Sequence, residues 1–473
     1  MSQPVYLNGI NGSTGEPLDD FQVTTDLLAK VARRQPFSKT ERRDIAMRKN
    51  QNERSKAQMG GAEGVDINLV SSAGWGIIFP ANLPAEQVAA LRDALNPLLE
   101  LRREQAGRFY FEFIGPEHGY RAGESKNDFL TRHGRAPGAA NPALGVPFYL
   151  LIVGSPEEIP FEFQYLLDLQ YGVGRIHFDQ VADYARYAES VVGAERGQVI
   201  RHKRASFFGP SHDFPTGLSS RHLVAGLTGL LAEKHSDWEV RTLTPEQSTK
   251  TALGRLMGGD ETPAFLFTAS HGMGFKLDDP RLLHHTGALL CQDFTRHRGG
   301  RIDEQFYFSA DDLVDSADVA GTLAFFFACY GAGSPRIDNF HRYVLGGEKI
   351  IAPYPFLSRL PTRLLRAGAL GVFAHVDRAW AYSFMWNENL ALVDIESFRS
   401  LISTLLEGHP AGAAGDYFGM RYGDISAMLT EEIEATTLDH QDENRIAWWW
   451  LSHHDARNYA FIGDPAVRLA VSR

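Results

Sequence analysis

Apolar positions along the chain recur in two spacings. Over residues 84–103, Val88, Leu91, Leu95, Leu98 and Leu99 fall mostly three and four positions apart, which predicts an amphipathic helix. From residue 148 onward, short uninterrupted apolar runs take over. Those at 148–153, 173–176, 204–208, 240–243, 264–267, 322–327 and 371–374 read as strands. The stretches 181–192, 221–234 and 245–257 between them read as helices. Strands that are apolar throughout and alternate with helices predict an α/β fold with a mostly parallel sheet covered on both faces. Residues 115–145, rich in Gly, Pro, Arg and Asn, read as a long ordered loop. Residues 1–65 read as an arm rather than a core. They carry Arg33, Arg34, Lys39, Arg42, Arg43, Arg48, Lys49 and Arg54 with few large apolar side chains, followed by a glycine-rich hinge at 60–64. The organisation expected is a basic arm over 1–65, an upstream α/β subdomain over 66–200 and a second α/β domain over 201–473.

Composition narrows the partners. The 473 residues are 44% hydrophobic and 22% charged, which excludes a mostly disordered or collagen-like chain. Lys and Arg number 47 against 58 Asp and Glu, a net charge of −11. That balance argues against nucleic acid as the principal partner, because phosphate binding needs a basic face. No apolar run reaches the 18 residues or so of a membrane span, and the opening residues lack the pattern of a secretory signal. With two cysteines in the chain, Cys291 and Cys329, a disulfide framework is excluded and a reducing, cytoplasmic compartment is expected.

The chemistry is expected where the apolar strands end, because open α/β sheets bind ligands at the carboxyl edge. The run at 264–267 leads into Thr268, Ala269, Ser270, His271 and Gly272. The run at 322–327 leads into Ala328, Cys329, Tyr330 and Gly331, with Gly333 beyond. If these two strands are neighbours, an imidazole and a thiol meet at one rim. A histidine beside a cysteine can make and stabilise the thiolate. Glycines beyond each residue let a substrate approach and turn N–H groups toward an oxyanion.

The Thr268–Gly272 block followed by Phe325–Cys329 resembles the His-Gly and Ala-Cys motifs of the caspase-like clan, which includes caspases, legumains, separases, gingipains and bacterial CHAT proteases. The gingipain branch fits best. Gly172, Gly174 and Arg175 resemble its upstream Gly-Arg strand. Gly371 with Trp380 beyond resembles its late strand and S1-wall tryptophan, and Gly463, Asp464 and Pro465 resemble its Gly-Asp-Pro closing segment. The resemblance covers about residues 148–473. It implies a caspase-haemoglobinase-like fold, with a sheet of about six strands flanked by helices, and makes 201–473 the catalytic domain. Cys329 would be the nucleophile, His271 the general base and acid, and the N–H groups of Gly272 and Cys329 the oxyanion hole. No metal or organic cofactor is implied. The substrate is a protein or peptide, with room for a regulatory protein partner.

The departures concern specificity. The positions aligned with the gingipain S1 acid are Leu218, Ser219 and Ser220, which carry no charge, so a preference for Arg or Lys is not supported. Asp213 either orients His271, lines S1 or caps a turn. Other clusters read as structural. His284, His285, Cys291 and His297 match no zinc spacing, and Trp448–Trp450 with His453 and His454 suit a core or an interface. Asp311, Asp312 and Asp315 resemble the strand-edge segment before the catalytic Cys in CHAT proteases and suit a charged helix start equally well. The activity expected is that of a regulated bacterial endopeptidase, of the defence or cell-death type. The alternative is a catalytically silent scaffold that binds through the 115–145 loop and the tryptophan cluster.

Overall fold

Every apolar run of the sequence becomes a strand, and the register of those strands sets out the site. The computed structural model describes residues 7–18, 25–34, 61–135, 138–294, 300–344, 347–385, 393–435 and 443–472. In chain order the strands are β1 (Gly9–Asn11), β2 (Trp75–Ile78), β3 (Tyr110–Phe113), β4 (Tyr149–Val153), β5 (Gly172–Ile176), β6 (Arg204–Phe208), β7 (Glu239–Thr242) and β8 (Phe265–Ala269). They continue with β9 (Gly272–Gly274), β10 (Leu289–Leu290), β11 (Tyr307–Phe308), β12 (Leu323–Phe327), β13 (Gly333–Ser334), β14 (Phe356–Leu357), β15 (Gly371–His375) and β16 (Tyr459–Gly463).

Ten of these form one sheet in the order β3-β2-β4-β5-β16-β15-β12-β8-β6-β7. Every neighbouring pair is parallel except β15–β16. The sheet is thus two parallel blocks of opposite direction, joined back to back. The sheet is larger than the six or so strands expected, because the upstream strands extend it through the β5–β16 pairing rather than forming a layer of their own. Its centre is dry. All five residues of β12 are buried, and Phe325 stacks on Phe267 of β8 at 5.2 Å and on Phe373 of β15 at 6.0 Å, its register partners on both sides. Aromatic ladders of this kind fix strand order and register. A smaller sheet, β1-β9-β10-β11, sits at the end of β8.

The Gly-Asp-Pro segment closes the other block. Asp464, fully buried, accepts from Trp75 Nε1 at 2.9 Å and Arg102 Nε at 2.7 Å. Arg102 lies on the helix Ala85–Ala106, which continues through Pro97, and also pairs with Glu195 at 3.3 Å. One carboxylate therefore ties the chain's last strand to its first two layers.

Several expectations are corrected. The first 65 residues are not wholly an arm: β1 pairs into the small sheet, and the helix Thr25–Arg34 buries Leu28, Ala29 and Ala32. Residues 35–60, with Lys39, Arg42, Arg43, Arg48, Lys49 and Arg54, lie outside the described residues. The 115–145 stretch is broken by the helices Gly115–His118 and Lys126–Arg132, the latter capped by Ser125. Strands β2, a buried Trp-Gly-Ile-Ile run, and β3 lie upstream of the first expected strand at 148–153 and add to the expected set. The helix expected at 221–234 begins earlier, at Phe214, and contains a π-helical segment, Ser219–Val224. Trp448 and Trp450 are buried in the main core, which removes them from any docking surface. No helix among the described residues is long and apolar enough to cross a membrane.

Candidate active site

β8 and β12 are parallel neighbours, with Ala269 opposite Phe327. His271 and Cys329 each lie two residues beyond that pair, so the two strands deliver imidazole and thiol to the same edge. Gly272 is packed so closely that a Cβ there would lie 1.8 Å from the Cys329 carbonyl oxygen, which excludes any other residue. Immediately after the cysteine, Tyr330 adopts φ 58°, and its N–H donates to the carbonyl of Asp377 (φ 70°) at 2.7 Å. Left-handed backbone at non-glycine residues is costly and clusters at functional sites. The Cys329 thiol is fully buried, and its sulfur accepts the N–H of Ala379 at 3.2 Å.

Asp213 sits at the N-cap of the helix Phe214–Leu218, where its Oδ1 accepts from the Thr216 N–H at 3.2 Å. Its other oxygen meets His271 Nε2 at 2.8 Å. Burial alone would raise the carboxyl's pKa. The facing imidazole and the Thr216 hydrogen bonds outweigh it and hold the group well below the usual carboxylate range. An ionised carboxylate only accepts, so Nε2 carries the proton and donates to Oδ2. Nδ1 is then the basic nitrogen of His271, and it is buried with no hydrogen-bond partner among the described residues. His212 lies parallel to the His271 ring at 6.5 Å between centroids. Burial, with the His271 charge second, pushes its pKa down to about 4, so it is neutral at pH 7.

The chain's own start occupies the site. The carbonyl oxygen of Asn8 accepts from the Gly272 N–H at 3.1 Å and from the Cys329 N–H at 3.2 Å. Two backbone donors beside a thiol thus converge on one carbonyl oxygen. Asn8 N–H donates to Ala379 O at 2.9 Å, and Leu7 bridges Trp380 in antiparallel fashion. Beyond Asn8, β1 runs parallel to β9 with Gly9 opposite Gly272. The Asn8 side chain reaches Ser219, its Nδ2 donating to Oγ at 3.3 Å.

Trp380 is held by the Asp455 carboxylate, which accepts its N–H at 2.8 Å, and its ring packs on Phe340 at 5.0 Å. Ser219 is fully buried at the start of the π-helical segment, a departure often found at functional sites. Leu218 is buried in the main core and supplies no polar group. Asp213 caps its helix and turns to His271, leaving Ser219 as the polar contact of the Asn8 side chain. Sequence reasoning missed Asn8, Gly9 and His212. No motif marks the first two, and only the covered site reveals them.

The remaining candidates separate from this edge. His285 is bonded to Tyr307 at 2.7 Å and Asp311 at 3.0 Å, while burial pushes the Cys291 thiol up. Among the described residues no group of three or more His, Cys, Asp or Glu could hold a metal ion; His297 lies outside them. A cavity of about 670 Å³, lined by His177, His284, Arg359, Arg363 and others, shares no residue with the site.

No family model matches the chain, and no curated protein is similar to it. Solved structures do match. One, described as "Structure of Protease", superposes with a TM-score of 0.50 at 11% identity, covering 87% of this chain and 80% of that one. The likeness is one of fold. The complex of pro- and mature domains of RgpB from Porphyromonas gingivalis matches at a TM-score of 0.47 and 12% identity, over 84% of this chain and 80% of that one. A Saccharomyces cerevisiae separase–securin complex matches at 0.33 and 10% identity, over 71% of this chain and 18% of that one.

Proposed function

We propose that the protein is a cysteine endopeptidase in which Cys329 is the nucleophile, His271 the general base and acid, and Asp213 the carboxylate that orients His271. The observation that carries this reading is the convergence of the Gly272 and Cys329 N–H groups on one carbonyl oxygen beside the thiol. That arrangement serves acyl transfer, because the same donors hold the negative charge of a tetrahedral intermediate.

His271 takes the thiol proton, and the sulfur attacks the substrate carbonyl carbon. The Gly272 and Cys329 N–H groups hold the resulting oxyanion. As the C–N bond breaks, His271 gives the proton to the leaving amine, and a thioester to Cys329 remains. Water, deprotonated by His271, then hydrolyses it. A cytoplasmic and regulated role in a bacterial cell extends this reading from the low cysteine content and the family resemblance.

Incubation of the full chain with a mixed-sequence peptide library, read by mass spectrometry, tests it. Cleavage is expected from the wild type and a loss of about 10³-fold or more from Cys329→Ala. Equal cleavage by both proteins, or none by either, would support the silent scaffold instead.

A further inference from the structure

The segment around Asn8 lies in the site as a substrate would. It bends at Asn8 and is bonded on both sides, antiparallel through Leu7–Trp380 and Asn8–Ala379 and parallel through Gly9–Gly272. This is how a peptide adds a strand to a sheet edge. Its Asn8 carbonyl fills the oxyanion position. The thiol stands against the next residue, since a Cβ added to Gly9 would lie 2.6 Å from Cys329 Sγ. Oxyanion donors and nucleophile therefore bracket a single bond, Asn8–Gly9.

The side chain that selects this register is Asn8. Ser219 Oγ donates to the Thr216 carbonyl at 3.1 Å, so its lone pairs face the Asn8 amide and accept from Nδ2. An ionised aspartate has no donor to offer there. Asn8 Oδ1 is buried and finds no donor among the described residues.

We infer that the S1 pocket, with Ser219 at its wall, selects asparagine, and that the chain cuts its own Asn8–Gly9 bond. This rests on the peptidase reading above and adds its substrate. In the step itself, Cys329 Sγ bonds to the Asn8 carbonyl carbon and the Asn8–Gly9 C–N bond breaks. The Gly9 nitrogen leaves as an amine with the proton carried by His271, and water releases the Asn8 carboxylate from the thioester. The segment ahead of Gly9 is freed, and the S1 pocket opens to other chains.

The test follows intact mass and the N-terminal residue of the full chain over time for the wild type, Cys329→Ala and Asn8→Asp, with the wild type's library cleavage sites scored in parallel. Expected are a wild-type chain beginning at Gly9, an intact Cys329→Ala chain, cutting slowed about 10²-fold or more in Asn8→Asp, and library cuts after asparagine. Library cleavage that depends on Cys329 but falls after other residues, with the Asn8–Gly9 bond left whole, overturns this inference and leaves the peptidase standing. Absence of any Cys329-dependent cleavage overturns both. Asn8→Asp cut as fast as the wild type overturns the asparagine pocket.

Discussion

Two strand ends carry the most polar chemistry of the sheet, and they are finished differently. At the end of β16, every feature of Asp464 is closed off. Both oxygens are bonded, to Trp75, Arg102 and the Ala466 N–H, and the residue's own N–H donates to the Tyr187 hydroxyl at 2.6 Å. At the ends of β8 and β12, His271 Nδ1 has no partner among the described residues and Tyr330 holds left-handed backbone, as does Asp377 beyond the neighbouring β15. There, backbone donors are spent on the carbonyl of a segment some 260 residues or more away in sequence. A fully satisfied buried network stabilises, whereas an incomplete one at a strained edge is poised for chemistry. Both ends carry motifs that resemble the caspase-like clan, and the hydrogen bonding separates their uses.

That contrast is broken first by mutation at the nucleophile. Cys329→Ala is expected to remove about 10³-fold or more of the cleavage rate while the protein stays folded, as circular dichroism and urea unfolding would show. The opposite signature belongs to Asp464→Ala. Leaving the buried Arg102 with Glu195 at 3.3 Å as its remaining ion pair is expected to destabilise the fold by about 1–3 kcal/mol in urea unfolding, with cleavage per folded molecule unchanged.

Asp213→Asn sharpens the comparison within the site. Asparagine caps a helix as well as aspartate does, so stability should hold. The loss of the carboxylate facing His271 should lower kcat about 10²-fold or more, with KM little changed. A stability loss with kcat intact would make Asp213 a cap and nothing else.

The pH dependence is a smaller effect with a definite window. Burial keeps His212 neutral, with a pKa of about 4 when folded, and lowers those of His375, His453 and His454 as well. The unfolded chain takes up these protons first, so stability is expected to fall as pH drops from about 6.5 toward 4. Asp213 contributes in the other window. Its depressed pKa stabilises above the ordinary carboxylate range and is lost only as pH falls below it. A melting temperature flat between pH 7 and pH 5 would contradict the buried neutral histidines. Smallest of all is Cys291→Ala, which is expected to leave the cleavage rate unchanged.

The candidate site was legible because its signals are local. An apolar strand, a nucleophile or base two residues on and a glycine beyond are written in consecutive positions, and parallel register does the rest. Asp213 was visible as a candidate, but its choice among three roles depended on where the helix Phe214–Leu218 starts. Ser219 was named for its alignment, without the π-helical segment that begins with it. Leu7, Asn8 and Gly9 left no trace because their partners are the distant Gly272, Cys329, Ala379, Trp380 and Ser219. Their few apolar neighbours read as an arm, although that stretch is held by backbone hydrogen bonds rather than by a hydrophobic stripe. The seven apolar runs become seven of the ten strands, and β2, β3 and β16 are the three that were not expected.

The central claim is that Cys329 forms a covalent acyl intermediate. Acid quenching during turnover of a cleaved peptide, followed by digestion and mass spectrometry, tests it most directly. The account expects the Cys329-containing fragment to carry the acyl part of the substrate as a hydroxylamine-labile thioester, with the Cys291 fragment unmodified. Cleavage with no adduct on Cys329, or an unchanged rate in Cys329→Ala, would contradict it.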